Sequence, residues 1–108
     1  MENKIKFQLV EDTLIVDFYG EVDSRNVAKY RQEIDSLITK TQGDVTFCFL
    51  HTSFIDSAGI GLVLGRYNQL ALEGRKLRLS KLNNTAYKVF ELTGIFNIME
   101  YIEEGSKQ

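Results

Sequence analysis

The sequence lacks most of the residues that metal sites and imidazole catalysis depend on. Its 108 residues include no proline, no tryptophan, one histidine and one cysteine. These counts exclude a zinc site built from several His and Cys ligands and catalysis that uses two imidazoles. The single cysteine, Cys48, cannot form an internal disulfide, which favours a reducing cytoplasm.

An excess of basic charge and a long apolar run are also missing. Thirteen Lys and Arg against fifteen Asp and Glu leave a formal net charge of −2, which gives no basic footprint for nucleic acid or an anionic membrane. No apolar run reaches the roughly 20 residues that span a bilayer, and the first residues do not resemble a signal peptide. We therefore expect a cytoplasmic protein that needs no cofactor, binds neither nucleic acid nor membrane, and is not an enzyme.

Apolar periodicity predicts strands and helices that alternate within one domain. Apolar runs at 7–10 and 14–19, the second closing at Gly20, indicate a hairpin. A loop at 51–56 is expected after a buried strand at 45–50. Helical spacing is found in Val27, Tyr30, Ile34, Leu37 and Ile38, in residues 57–72, and between Asn83 or Asn84 and Gly94. Strands at 77–82 and 98–102 complete the order β-β-α-β-α-β-α-β, which indicates an α/β fold.

The helix predicted at 57–72 carries a stripe of small residues. Its expected buried face comprises Ile60, Val63, Leu64, Tyr67, Leu70 and Ala71. Ser57, Gly61 and Gly65 form a second stripe, and Leu62 is expected to be an exposed apolar contact opposite the buried face. Each glycine costs about 1 kcal/mol relative to alanine. The stripe therefore serves either close packing against a neighbouring helix or the approach of another protein's backbone, and both interpretations stay open.

Asp56 and Ser57 stand where this helix begins. Either can be the N-cap, so one of them is not needed for capping. The positive end of the helix dipole accommodates a phosphate on Ser57. In an interface beside Asp56, the added charge of about −1.5 to −2 would be repulsive. Ser57 is thus a candidate switch of binding.

A serine-hydrolase interpretation is weaker. His51, Asp56 and Ser57 lie close in sequence, but Ile55 occupies the first glycine position of the G-x-S-x-G pattern, and His51 precedes the serine. Glu21 and Asp23 also follow a strand, and Asp23 or Ser24 is the expected N-cap of the first helix. Because carboxyl ends of parallel strands share one edge of a sheet, we expect Glu21, Asp23 and Ser57 to lie together as a binding surface.

Three motifs, in order, resemble those of STAS domains, in particular bacterial anti-anti-sigma factors of the anti-sigma F factor antagonist type. They are residues 20–23 (GEVD), residues 54–67 (FIDSAGIGLVLGRY) and residues 92–96 (LTGIF). The resemblance covers nearly the whole chain. It implies a single STAS domain at 1–102 with a polar tail at 103–108, and a mixed, mostly parallel β-sheet of about four to five strands with helices packed on one side.

The resemblance also implies partner switching. The unphosphorylated protein would bind an anti-sigma factor, which is also an ATP-dependent serine kinase, and so release a sigma factor. Phosphorylation of Ser57 would abolish binding, and a PP2C-type phosphatase would reverse it. The implied binding surface comprises Glu21, Asp23, Asp56, Ser57, Ala58, Gly59, Ile60, Gly61 and Leu62.

The sequence departs from the family pattern at two places. Ala58 replaces a serine often found there, which leaves Ser57 as the only candidate in the motif. The tail at 103–108 is shorter than the last helix that family members commonly carry. The alternative function is that of a STAS scaffold or regulatory subunit in a stress-signalling or transport complex.

Overall fold

Strands and helices alternate along the chain in the predicted order. The computed structural model describes residues 2–102, so the predicted tail at 103–108 lies outside the described residues. The elements are β1 (Lys4–Val10), β2 (Thr13–Val22), α1 (Val27–Lys40), β3 (Val45–Ile55), α2 (Ser57–Leu72), β4 (Leu77–Ser80), α3 (Asn84–Thr93), a 3-10 turn (Ile95–Asn97) and β5 (Tyr101–Ile102). Within residues 2–102, no helix has both the length and the apolar content needed to cross a membrane.

The five strands form one sheet in the order β1-β2-β3-β4-β5. β1 is antiparallel to β2, and the three other pairs are parallel. The hairpin closes through Glu11 and Asp12, whose φ angles of 48° and 72° match a two-residue type I′ turn. The parallel pairs need crossovers, which the three helices provide. The prediction of a mixed, mostly parallel sheet is confirmed.

All three helices pack on one face of the sheet. At its centre, Phe18 of β2 stacks on Phe49 of β3 with ring centroids 4.7 Å apart. Tyr30 of α1 contacts Phe18, Phe90 of α3 contacts Phe49, and α2 adds Val63 and Leu70 to the same core. The side chains between these along each strand, such as Lys6, Asp17 and Leu50, lie on the opposite face, because alternate residues of a strand point to opposite sides. The predicted one-sided arrangement of helices is therefore confirmed.

Several predicted strand limits are wrong. β1 begins at Lys4 rather than at residue 7, β4 ends at Ser80 rather than at residue 82, and β5 begins at Tyr101 rather than at residue 98. β2 does not close at Gly20 but continues to Val22, and β3 continues through the predicted loop to Ile55. The pairing of β2 with β3 shifts register at Gly20, whose φ of +80° suits a bulge. The extension is also fixed by Thr52, whose buried hydroxyl donates to the Phe18 carbonyl at 2.9 Å. The residues in this part of β3 are mostly polar, so a search for apolar runs did not predict that the strand continues here.

The turn between β1 and β2 provides a test of the type I′ assignment. A non-glycine residue in the left-handed region costs about 1 kcal/mol, so Asp12→Gly is expected to raise the free energy of unfolding by about 0.5 kcal/mol. Thr13→Gly, one residue later in β2, is the matched control and is expected to lower it by about 0.5–1 kcal/mol. Urea unfolding measures both variants. An Asp12→Gly protein less stable than the parent would contradict the assigned turn.

Candidate functional site

The candidate site lies where β2 and β3 end and α2 begins. Register pairs Glu21 with Phe54 and Val22 with Ile55 at this edge. The backbone N–H of Asp56 donates to the Val22 carbonyl at 3.3 Å, which joins the start of α2 to the end of β2. The predicted meeting of the two strand ends at one edge is therefore present in the structure.

Asp56 is the N-cap of α2, and Ser57 is not used for capping. Asp56 Oδ1 accepts from the backbone N–H of Gly59 at 3.0 Å, and its Oδ2 accepts from the N–H of Ser24 at 3.3 Å. One carboxylate thus holds the first turn of α2 and the loop before α1 together. Ser57 is exposed, and its hydroxyl makes no hydrogen bond with any residue from 2 to 102. The choice that the sequence left open between the two caps is settled in favour of Asp56.

Arg25 links the two acidic residues of the β2–α1 turn. Its guanidinium contacts both carboxylate oxygens of Asp23, at 2.6 Å and 3.1 Å, and also hydrogen-bonds Glu21 Oε1. These hydrogen bonds from Arg25 hold the pKa of Asp23 below its usual value, although burial acts in the opposite direction. Both carboxylates are therefore fixed in place by a cation that the sequence analysis did not include in the site.

The expected N-cap of α1 is wrong. The cap position is Asn26, whose side chain makes no capping hydrogen bond to α1. Asn26 instead braces the turn, accepting from the Asp23 N–H at 3.1 Å and donating to the Glu21 carbonyl at 2.7 Å. The Asp23 side chain is directed to Arg25, and Ser24 points its N–H at Asp56. Hydrogen bonds within the β2–α1 turn, together with the one from Ser24 to Asp56, therefore take the place of the expected cap.

The three glycines of α2 have different surroundings. A Cβ on Gly59 would lie 2.6 Å from the Val22 carbonyl oxygen and 2.8 Å from Ile55 Cγ2. Gly59 is therefore buried beneath the surface and permits the contact between α2 and β2. A Cβ on Gly61 or Gly65 would meet nothing within 4 Å. Close packing thus explains Gly59, whereas the Gly61–Gly65 stripe faces open space, as the second interpretation required.

The burial of Leu62 and the exposure of Ala71 are the reverse of what the helix periodicity predicted. Leu62 is only 5% exposed, so the expectation of an exposed apolar contact is wrong, and Ala71 is exposed rather than buried. The reason is that α2 packs against α1 as well as against the sheet, which moves the buried arc towards Leu62. Arg66 marks this second contact, with Nε 3.1 Å from Asp35 Oδ1 of α1. Its burial there lowers the pKa of its guanidinium.

A groove of about 300 Å³ runs between α1 and α2. Small and apolar residues and two arginines line it; they are Val27, Ala28, Arg31, Ala58, Gly61, Leu62, Gly65 and Arg66. The open stripe on α2 is therefore one side of a concave surface, and a backbone or side chain from another molecule can approach it closely.

Phe54 is a further candidate site residue, which was not among the residues expected from the sequence. It is 47% exposed and lies opposite Glu21 in the pairing of β2 with β3. Its position just before Asp56 puts an apolar side chain at the edge that carries Ser57. Its exposure at this edge was not predicted, because residues 51–56 were expected to form a loop, and a loop defines no side-chain direction.

His51 is too far from Ser57 to act as its general base. Ile55 lies four residues after His51 along β3, which at about 3.3 Å per residue is about 13 Å. A nucleophile and its base need to be within about 3.2 Å. The His51 ring instead stacks on Tyr19, with centroids 4.7 Å apart. The weaker hydrolase interpretation therefore loses its only imidazole.

Comparison with known proteins agrees with this architecture. The model of the STAS domain family matches residues 4–106. The chain belongs to the STAS domain family. Its STAS domain is 38% identical over 96 residues to an anti-sigma F factor antagonist of Lysinibacillus sphaericus. The matched region covers 82% of this chain and 80% of that protein.

Two solved structures are similar over almost the full length of the STAS domain. The anti-sigma factor antagonist SpoIIAA in its unphosphorylated form has a TM-score of 0.79 and 28% identity, covering 96% of this chain and 92% of that one. The Bacillus cell fate determinant SpoIIAA in its phosphorylated form has a TM-score of 0.73 and 27% identity, covering 96% of both chains. The same fold is therefore found in relatives with and without phosphate.

The glycines of this STAS domain predict opposite effects of one substitution. Gly59→Ala is expected to lower the free energy of unfolding by about 1–3 kcal/mol, because its methyl group would overlap the Val22 carbonyl. Gly61→Ala, two residues later in the same helix, is expected to raise it by up to about 1 kcal/mol, because its methyl group meets open space. Thermal or urea unfolding measures both. Equal effects of the two substitutions would contradict the assigned packing.

Proposed function

We propose that this STAS domain is an anti-sigma factor antagonist whose binding is switched off by phosphate on Ser57. The observation that carries the proposal is the exposed Ser57 hydroxyl at the start of α2, which Asp56 leaves free by acting as the cap. The relatives named above support it, because they are anti-sigma factor antagonists and one of them has been solved in both phosphorylation states.

We propose that the anti-sigma factor binds a docking surface whose accessible part consists of Glu21, Phe54, Ser57, Ala58, Ile60 and Gly61. The other four residues of the binding surface implied by the family resemblance support this accessible part rather than contact the partner directly. Asp23 and Asp56 fix the turn and the helix start, and Gly59 and Leu62 are buried. The open Gly61 and the exposed Phe54 together suit an interface in which another backbone lies close to α2.

Phosphate on Ser57 would disturb binding rather than folding. At the first position of a helix, a phosphate lies near free N–H groups and the positive end of the dipole, so the fold tolerates it. The edge carries the three negative charges of Glu21, Asp23 and Asp56, and the single positive charge of Arg25 balances only part of them. A further charge of about −1.5 to −2 in the interface adds repulsion and a desolvation cost. The switch is therefore electrostatic and local.

We propose further that the anti-sigma factor is itself the serine kinase, using ATP, and that a PP2C-type phosphatase removes the phosphate. This assignment comes from the family resemblance and requires neither a cofactor nor a catalytic residue in this chain. We place the protein in the cytoplasm, where sigma factors act. The alternative role in a scaffold or a transport complex is not favoured, because the relatives carry the antagonist name.

Charge substitution at Ser57 tests the switch. Ser57→Asp is expected to weaken binding to the cognate anti-sigma factor by at least tenfold, which corresponds to about 1.4 kcal/mol. The matched control is Ser36→Asp, which adds the same charge on an exposed position of α1 and should leave affinity unchanged. Isothermal titration calorimetry measures both. If Ser57→Asp bound as tightly as the parent, electrostatic repulsion would not be the mechanism.

Phosphate transfer tests the assignment of the residue. Incubation with the anti-sigma factor and ATP is expected to add one phosphate, which mass spectrometry should locate on Ser57. The Ser57→Ala protein should bind the anti-sigma factor but take up no phosphate. Phosphate on another residue in the parent protein would disprove the role of Ser57 while leaving the docking surface intact.

A further inference from the structure

The outer side of β1 has no strand beside it among residues 2–102. β1 is the first strand in the sheet order and pairs only with β2, over seven consecutive residues without a register shift. It contains no proline. Proline, bulges and charged side chains, especially lysine, are common means of preventing an edge strand from pairing. Of these β1 has only Lys4 and Lys6, so its backbone is regular enough to accept another strand in a register that keeps those lysines apart.

The hairpin turn determines which backbone groups point outward. In a two-residue type I′ hairpin, the residues next to the turn form a hydrogen-bonded pair, here Val10 and Thr13. Hydrogen-bonded and non-bonded pairs then alternate along the ladder. The N–H and C=O groups of Ile5, Phe7 and Leu9 therefore point away from β2 and are available at the edge.

The side chains of the same three residues lie on the apolar face of the sheet. Ile5 pairs with Phe18, Phe7 with Val16 and Leu9 with Leu14, and all three partners are core residues. Nevertheless Phe7 is 37% exposed and Leu9 is 58% exposed. The core thus continues to the edge of the sheet, where part of it is uncovered.

We propose that β1 pairs antiparallel with β1 of a second copy of this chain, with Phe7 on the two-fold axis. In this register Phe7 faces Phe7 of the other copy, and Ile5 faces Leu9. All seven residues of each strand are paired, and the outward N–H and C=O groups of Ile5, Phe7 and Leu9 bond in both directions. The half-covered apolar side chains of the two copies meet on the same face of one continuous sheet.

The lysines of β1 favour this register over the two registers centred nearer to the start of the strand. Pairing centred on Lys6 would place Lys6 opposite itself, and pairing centred on Ile5 would place Lys4 opposite Lys6; opposed like charges destabilise a sheet. With Phe7 at the centre, Lys6 faces Gln8 instead. Lys4 then lies next to the other copy's hairpin turn, whose Glu11 and Asp12 have the opposite charge. The arrangement is therefore complementary in hydrogen bonding, in apolar contact and in charge.

Pairing through β1 leaves the docking surface accessible. β2 lies between β1 and β3, which places Glu21 of β2 about one strand spacing, or about 5 Å, from β1 and the start of α2 about two spacings, or about 10 Å, from it. The two-fold axis puts the two docking surfaces at opposite ends of the joined sheet. The inference does not depend on the proposed function, because it uses no residue of that surface except as a landmark.

Sedimentation equilibrium on the full chain, from about 10 µM to about 1 mM, tests the pairing in the range where small interfaces dissociate. Gln8→Glu places a carboxylate opposite Lys6 and is expected to tighten the dimer about two- to tenfold, whereas Gln8→Lys should weaken it by a similar factor. Gln8 is exposed, so both variants should fold. Gln32→Glu and Gln32→Lys, on the exposed face of α1, change the net charge equally and should have no effect.

Amide hydrogen exchange identifies the strand involved. Exchange at Ile5, Phe7 and Leu9 is expected to slow as concentration rises, while Lys6 and Gln8, already bonded to β2, should not change. A chain that stays monomeric to 1 mM with Gln8→Glu would overturn the inference. A dimer whose affinity is the same in both Gln8 variants as in the parent would also overturn the inference. The same holds for a dimer in which the amides of Ile5, Phe7 and Leu9 gain no protection.

Discussion

The position of Ser57 depends on one close contact, that between the first turn of α2 and the last residue of β2. Gly59 has no side chain, so the helix approaches the Val22 carbonyl to a distance that a methyl group would forbid. The same carbonyl accepts the N–H of Asp56, and the Asp56 carboxylate then spans from Gly59 to Ser24. A strand end, a helix start and a neighbouring loop are thus held together by one glycine and one carboxylate.

This contact explains how the fold separates structural from regulatory roles in neighbouring residues. Asp56 accepts the N–H of Gly59 in the first turn of α2 and the N–H of Ser24 in a second loop, so its loss would affect the whole edge. Ser57 makes none of these contacts and is exposed. A modification there changes charge without removing a hydrogen bond within the described chain. A rigid frame with one uncommitted hydroxyl is what an electrostatic switch of binding requires.

The sequence predicted the element order and the start of α2, but not the way in which the edge is assembled. Periodicity identified the core of α1 and the extent of α2 because packing on one face leaves a regular apolar pattern. It failed for β3 beyond residue 50, where His51, Thr52 and Ser53 are polar yet extend the strand. It also misplaced Leu62, because a helix wheel assumes one packing partner whereas α2 has two. Arg25 and Phe54 were missed because their importance arises from pairing across the sheet and the β2–α1 turn, which spacing within one segment does not reveal.

Phosphate on Ser57 is proposed to act on binding and not on the fold. The most direct measurement compares fully phosphorylated and unmodified protein in both respects, by urea unfolding and by titration with the anti-sigma factor. The free energies of unfolding are expected to agree within about 0.5 kcal/mol, and the affinity is expected to fall at least tenfold. Unchanged affinity would contradict a switch at Ser57, and so would a loss of affinity accompanied by an equal loss of stability.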